Sequence, residues 1–155
     1  MGVRAYDQAF VDEVMVELSA LQPDQVPEWG SMRPPQMLAH LTTALRYSLG
    51  KEALSPPEGS LLIRKLLCPL LLSGLIRMPK NVTKPKLYDA EAPEGTLETF
   101  REEATEFLSR LQDGTLDPPP HPALGDLGRV GWSKLHVVHI EHHVRQFGRV
   151  LRLKD

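Results

Sequence analysis

The stretch that organises this chain is residues 135–148, LHVVHIEHHVRQFG, which holds four of the six histidines of the protein. Apolar residues recur through it at helical spacing, so we predict that it lies on the last helix. A helix advances by roughly 100° per residue, and on that wheel three of the histidines share an arc about 160° wide with the apolar side chains. We therefore expect His136, His139 and His143 to face the interior, and His142 to face water beside Arg145 and Arg149.

Two of the inward histidines, His139 and His143, are separated by four positions. Their Cβ atoms should lie about 5–6 Å apart on one helix face. At that separation two imidazoles can hold one cation at about 2.0–2.1 Å each. The alternative interpretation is that both are hydrogen-bonded polar residues in a helix interface. The pair alone leaves both interpretations open.

Helical periodicity recurs earlier in the chain, at residues 7–22, 34–49 and 96–112. Asp7 is a plausible N-terminal cap of the first segment, and Pro23 should end it. The second begins at two prolines, which suit a first helical turn, and Gly50 should stop it. In the third, the acidic side chains fall on the polar side and are predicted to be solubilising surface: Glu98, Glu102, Glu103 and Glu106. This placement argues against a di-metal carboxylate site, which needs inward glutamates paired with histidine.

A fifth candidate histidine, His40, lies on the second predicted helix at the rim of its buried face. A single histidine in that position is more often structural. Beside the pair on the last helix, it becomes the candidate for a third nitrogen. The sequence therefore predicts a metal site formed by His40, His139 and His143.

Length and composition are those of one globular domain, residues 1–155, with 25% charged and 41% hydrophobic residues. A net charge of −2 gives no electrostatic argument for nucleic acid as a partner. The single cysteine, Cys68, cannot form an internal disulfide. Together with the lack of a recognisable signal peptide, this favours a reducing, cytoplasmic location.

An apolar run at residues 66–76 is too short for a bilayer, which needs about 20 residues. We interpret it as a buried helix, with a hydrophobic contact surface as the alternative, and Pro69 should kink or split it. Cys68 is expected to be a small core residue there. The basic segment 78–86 is interpreted as a solvated crossover, or else as a mouth that attracts an anionic substrate. His121, flanked by prolines, could lean over the site but is expected to be structural.

Several motifs occur together along nearly the whole chain: Trp29-Gly30-Ser31-Met32, Gln36-Met37-Leu38-Ala39-His40-Leu41, Pro79-Lys80-Asn81, His121-Pro122-Ala123-Leu124-Gly125, Trp132, and His139, His142 and His143 followed by Gln146-Phe147-Gly148. In order and spacing this set resembles the DinB/YfiT-like superfamily, in a branch without assigned function. The resemblance implies an all-α fold, a four-helix bundle with a long crossover, and a divalent metal held by three histidines that map onto His40, His139 and His143. Some relatives look like thiol-dependent transferases or isomerases, and others like metal hydrolases.

Two features depart from the pattern of that superfamily. Arg33 stands where relatives tend to have a serine or threonine cap, which should cost about 1 kcal/mol unless another group caps the helix. Residues 128–131 replace the acidic first turn expected on the last helix. Neither departure removes a ligand.

Our first functional hypothesis is a metal-dependent enzyme that acts on a small molecule, by hydrolysis or with a low-molecular-weight thiol. Imidazole ligands suit zinc, nickel, iron or copper. His136 could act as a proton shuttle, although core packing is the expected role, and Gln146 is expected to bond to a ligand residue or to substrate. The second hypothesis is a non-catalytic binding protein with an empty or structural histidine site, which forms a homodimer through its apolar helical segment. No membrane partner is expected.

Overall fold

The computed structural model describes residues 2–53, 61–80 and 93–151, apart from the side chains of residues 63 and 64. Within these ranges all regular structure is helical, and the only β-type pairing is a single bridge between His121 and Gly125. The predicted all-α fold is confirmed. The helices are α1 (Gln8–Ser19), α2 (Pro34–Ser48), a π-helical turn (Ile63–Leu67) that leads into α3 (Cys68–Leu72), α4 (Leu97–Asp113) and α5 (Gly128–Gln146).

The first helix begins where the sequence predicts and ends earlier. The Asp7 carboxylate accepts the Phe10 N–H at 2.8 Å, which confirms it as the cap. The helix ends at Ser19 rather than at Gln22. The residue before a proline is disfavoured in helical conformation, and Gln22 instead forms a turn in which its carbonyl accepts the Gln25 N–H at 3.0 Å.

The start of α2 shows how the chain manages without a serine cap. The Gln36 side-chain oxygen accepts the Arg33 N–H at 3.0 Å, and the first two helical residues are prolines, which have no N–H to satisfy. Of the first four helical residues only Gln36 and Met37 have an N–H, and the Met37 N–H already bonds to the Arg33 carbonyl. Few orphan donors therefore remain at this end, so the cost expected from Arg33 is largely avoided.

Four long helices form the core of the bundle. Both α1 and α2 pack against both α4 and α5, so the two N-terminal helices are bridged by the two C-terminal ones. The connection from α2 to α4 covers residues 49–96 and contains α3, which packs on α5. The innermost apolar side chains come from all four long helices and include Phe10, Val14, Met37, Leu41, Phe100, Phe107, Val137 and Ile140.

The apolar run at residues 66–76, which contains α3, is not the buried helix that was expected. The leucines at positions 61, 62, 66 and 67 are 46–70% exposed. Of the side chains described in this run, those of Cys68, Leu71 and Leu72 pack toward the core, because α3 meets the bundle along one side. The register changes from π-helix to α-helix just before Pro69, as expected of a segment split by proline. Nowhere in the described ranges is a helix both long enough and apolar enough to cross a membrane.

The carboxylate of Glu103 on α4 is a second correction. It was expected on the solvated face with its acidic neighbours, but it is buried between α2 and α4. Arg46 and Lys51 reach it at 2.8 and 2.7 Å. Burial alone would raise the pKa of Glu103, but these two hydrogen bonds outweigh burial and the pKa is lowered. The residue is therefore an ionised link between helices.

Of the basic segment 78–86, only residues 78–80 are described, so the remainder of that expectation, including Asn81, lies outside the described residues.

Candidate metal centre

Packing of α2 on α5 brings the three predicted ligands together. The Nε2 atom of His139 lies 2.8 Å from Nε2 of His40 and 3.2 Å from Nε2 of His143. One ligand atom from each residue lies within 4.8 Å of the others, although His40 and His139 are 99 positions apart in sequence. We call this group the histidine centre. It contains no carboxylate among the described residues.

The spacing of the nitrogens suits a shared cation. Two nitrogens bound to one tetrahedral zinc at about 2.0–2.1 Å are roughly 3.3–3.4 Å apart. The two observed contacts, 2.8 and 3.2 Å, lie within about half an ångström of that value and are both slightly shorter. One N–H of His139 can be directed at only one of its two neighbours, whereas a cation at the shared point accepts a lone pair from all three rings. The donor set therefore fits a divalent metal ion.

A glutamine fixes the orientation of one ring. The Gln146 side-chain N–H donates to the Trp29 carbonyl at 2.8 Å, which leaves its oxygen 2.9 Å from Nδ1 of His143. An amide oxygen only accepts, so Nδ1 of His143 carries the hydrogen and Nε2 presents its lone pair to the centre. This is the arrangement found around metal-binding histidines, in which an outer hydrogen bond sets the tautomer. The expected bond from Gln146 to a ligand residue is present.

The connector before α2 makes that bond possible. Gly30 has φ of 75°, and a Cβ there would lie 2.9 Å from the Gln146 side-chain nitrogen. The Glu28 N–H donates to the Gln146 carbonyl at 2.7 Å, so the connector is bonded to both the side chain and the backbone of this residue. The Trp29-Gly30 pair therefore acts through its backbone at this centre, a role that its sequence did not reveal.

Burial keeps one ring of the centre, that of His139, uncharged. Desolvation, reinforced by the adjacent His40 ring, lowers the pKa of His139 well below its usual value. The ring is therefore neutral near pH 7, which is the form that binds metal. His143 is buried, whereas His40 and His139 are only half-buried. Two of the three histidines of the centre are thus partly exposed to solvent.

His136 lies in the core and outside the histidine centre. Its ring packs 4.7 Å from Phe107 and 5.5 Å from Trp132, between ring centroids. Its Nε2 lies 2.8 Å from the Ser48 hydroxyl, which itself donates to the Leu45 carbonyl, so His136 is the donor in this pair. Burial, and to a smaller extent His121, lowers the pKa of His136 to about 3. These contacts favour core packing over a proton-shuttle role.

His142 was expected to face water and is instead buried, with 8% of its surface exposed. The helical wheel predicted this position wrongly because it assumes one buried face, whereas α5 is covered on more than one side. The Trp29 ring lies against His142 at 5.8 Å between centroids. On its other side the His142 ring is 5.1 Å from that of His143. It does not belong to the histidine centre.

His121 has the structural role that was expected. Its Nδ1 accepts the backbone N–H groups of Ala123 and Leu124, both at 3.0 Å, and its ring packs against Trp132. Burial lowers the pKa of His121 to about 4. It closes a turn in front of α5 rather than leaning over the centre.

The sequence matches one known family over most of its length. Residues 4–149 match a family described as "Protein of unknown function (DUF1569)", a range that includes all three histidines of the centre. The chain belongs to the DUF1569 family. No curated protein and no solved structure matches it. Because the description of DUF1569 names no activity, the function of this member has to be argued from the geometry of the site.

Proposed function

We propose that this DUF1569 member is a metal-dependent enzyme that acts on a small molecule, with a divalent ion held by His40, His139 and His143. The observation that carries the proposal is the convergence of three imidazoles from two helices within 4.8 Å, with one of them held in the metal-binding tautomer. Zinc, nickel and iron are the candidate ions, since all accept imidazole nitrogen. The resemblance to the DinB/YfiT-like superfamily is part of this proposal and points the same way.

The chemistry follows from the donor set. Three neutral nitrogens leave at least one coordination position open and do not reduce the charge of the ion, so the ion can acidify bound water or polarise a carbonyl. No carboxylate of the described residues lies in the centre to act as a general base. We therefore propose hydrolysis, or transfer to a low-molecular-weight thiol, as the reaction class. Within the chain, Gln146 orients His143 and the half-buried rings leave a side for substrate.

Elemental analysis of the purified protein tests the metal site. We expect about one divalent ion per wild-type chain, and loss of the ion in His139→Ala because two ligands are too few to retain it. His142→Ala is the matched control, since it is a buried neighbour on the same helix and should keep the ion. Circular dichroism confirms that both variants fold. Full retention of the ion in His139→Ala would exclude this site.

The melting temperature gives a second measurement in the same experiment. A ligand present at 100 times its dissociation constant stabilises the native state by about 2.7 kcal/mol. For a domain of this size, removal of the ion with chelator should lower the melting temperature by roughly 5–10 °C. His139→Ala should show no shift with chelator.

The exposed leucines favour a second candidate function. Four leucines at 46–70% exposure would suit a non-catalytic binding protein that forms a homodimer through this segment, with a histidine centre that is structural or empty. The metal experiment separates the two candidates. If the wild-type protein contains no ion and its melting temperature does not change with chelator, the dimeric binding protein is favoured.

A further inference from the structure

A cavity lies beside the histidine centre and plays no part in the function proposed so far. Its volume is about 530 Å³, and it is bounded by the end of α5, the connector before α2 and the residues that follow α3. Four of its lining side chains are cationic, Arg77, Lys80, Arg145 and Arg149, against one acidic side chain, Glu28. We call this cavity the basic pocket.

Most of this charge is not neutralised in place. Arg149 forms an ion pair with Glu17 at 2.8 Å, and Lys80 lies over the Trp29 ring at 4.2 Å. Among the described residues, however, no carboxylate is within ion-pair distance of Arg77 or Arg145. Glu141 attracts both guanidinium groups from a greater distance, while the two guanidinium groups repel each other. Two like charges therefore stand close together at a pocket, one of them half-buried.

Like charges at a partly desolvated site are costly unless something binds between them. The guanidinium groups suit an oxyanion, because arginine presents paired N–H donors that match phosphate and carboxylate oxygens. The cavity is larger than an inorganic anion requires, and the rest of its wall carries apolar surface from Trp29, Met78, Pro79 and Val150. A ligand with an anionic head and an apolar body fits both parts.

We propose that the basic pocket binds a small organic anion, whose phosphate or carboxylate group lies between Arg77 and Arg145 and whose apolar part packs against Trp29 and Met78. The pocket shares a wall with the histidine centre, because the His142 ring lines the pocket and lies 5.1 Å from the His143 ring between centroids. As a substrate subsite, this assignment rests on the proposed function. Anion binding itself does not depend on it.

Titration of the full chain with monobutyl phosphate, butyrate and 1-butanol tests the proposal. Trp29 lines the pocket, so its fluorescence reports occupancy, and calorimetry provides an independent measurement. We expect saturable binding of the phosphate, the carboxylate or both, and none of the neutral alcohol. The two anions show which oxyanion the arginines prefer. Equal binding of the alcohol, or no saturable binding of either anion, would overturn the proposal.

Charge-removing variants locate the binding. Arg77→Gln and Arg145→Gln should each weaken binding of the preferred anion roughly tenfold or more, because each removes a charged hydrogen-bond donor. Arg101→Gln is the matched control, since Arg101 is an exposed residue of α4 that forms an ion pair with Glu98 away from the pocket, and it should leave binding within twofold. Arg77 lies outside α5, so its variant remains informative even if Arg145→Gln disturbs the helix.

Metal-free protein distinguishes this proposal from the function proposed above. We expect the anion to bind both chelator-treated protein and His139→Ala with unchanged affinity. Binding that appears only after zinc is added would mean that the anion is a metal ligand, and the basic pocket would be rejected. A protein that binds the anion but no metal would reject the enzyme and keep the pocket.

Discussion

Gln146 links the connector before α2 to the histidine centre through one side chain. Its N–H donates to the Trp29 carbonyl, and its oxygen accepts from His143. Because a backbone carbonyl can only accept, the amide cannot flip without losing its bond to Trp29. The ring orientation of His143 is therefore set by a residue three positions further along the helix.

Replacement of Gln146 by leucine should reduce metal affinity without removing the site. The variant keeps three nitrogen ligands, but the His143 ring loses the hydrogen bond that orients it. Loss of such an outer hydrogen bond typically weakens metal binding by about 10–100-fold. Competition with a fluorescent zinc chelator measures this change. Gln112→Leu, at an exposed position of α4, is the control. Equal affinity in the two variants would show that Gln146 does not position the ligand.

At the scale of elements, the four long helices were predictable and their surroundings were not. The apolar spacing of α1, α2, α4 and α5 reports which face is buried, because one face of each helix turns to the core. A wheel assumes a single buried face, however, and α5 contacts α1, α2, α3 and the connector that carries Trp29. That is why His142 was misplaced. Glu103 was misplaced because a polar periodicity cannot distinguish a solvated carboxylate from one buried against two cations.

The histidine centre was predictable only where local helix geometry determines it. The four-residue spacing of His139 and His143 follows from helix geometry alone, whereas the position of His40 depends on how α2 packs against α5. The contribution of Gly30 could not be derived, because it arises from a contact with a residue 116 positions away.

The role of Gly30 in the connector between α1 and α2 can be tested by comparing its alanine variant with that of Gly50, a glycine of nearly equal backbone conformation. Gly30 and Gly50 have φ of 75° and 73°, but only at Gly30 would a Cβ meet a neighbour, the Gln146 nitrogen. Both Gly30→Ala and Gly50→Ala should lower the free energy of unfolding by about 1 kcal/mol, since alanine is strained at positive φ. Only Gly30→Ala should also weaken metal binding. Urea unfolding and zinc competition measure the two effects, and equal zinc affinity would contradict the contact with Gln146.

At the scale of the whole molecule, two neutral histidines packed around Trp132 tie stability to pH. Burial lowers the pKa of His136 to about 3 and that of His121 to about 4, from an ordinary value near 6.5. Between these values the unfolded chain takes up protons that the folded chain does not. Protonation therefore favours unfolding, and the stability present above about pH 6.5 is lost as the pH falls.

The His136→Gln variant removes one of these two titrating groups. Glutamine keeps a donor for Ser48 but does not titrate, so the dependence of unfolding free energy on pH between about 6.5 and 4 should become shallower by up to roughly 1.4 kcal/mol per pH unit. Urea unfolding of the two proteins in chelator, at a series of pH values, measures this slope. Parallel curves would mean that His136 takes up no proton on unfolding.

The distance along the chain between His40 and His139 has a consequence for biosynthesis. Rings that meet at 2.8 Å are encoded 99 codons apart, so no amino-terminal fragment that lacks α5 contains the complete centre. An ion held by all three rings can be captured only after residue 143 has left the ribosome and α5 has docked. The proposed ion would therefore be captured only once α5 has been made and packed against α2, from whichever ions are available at that stage.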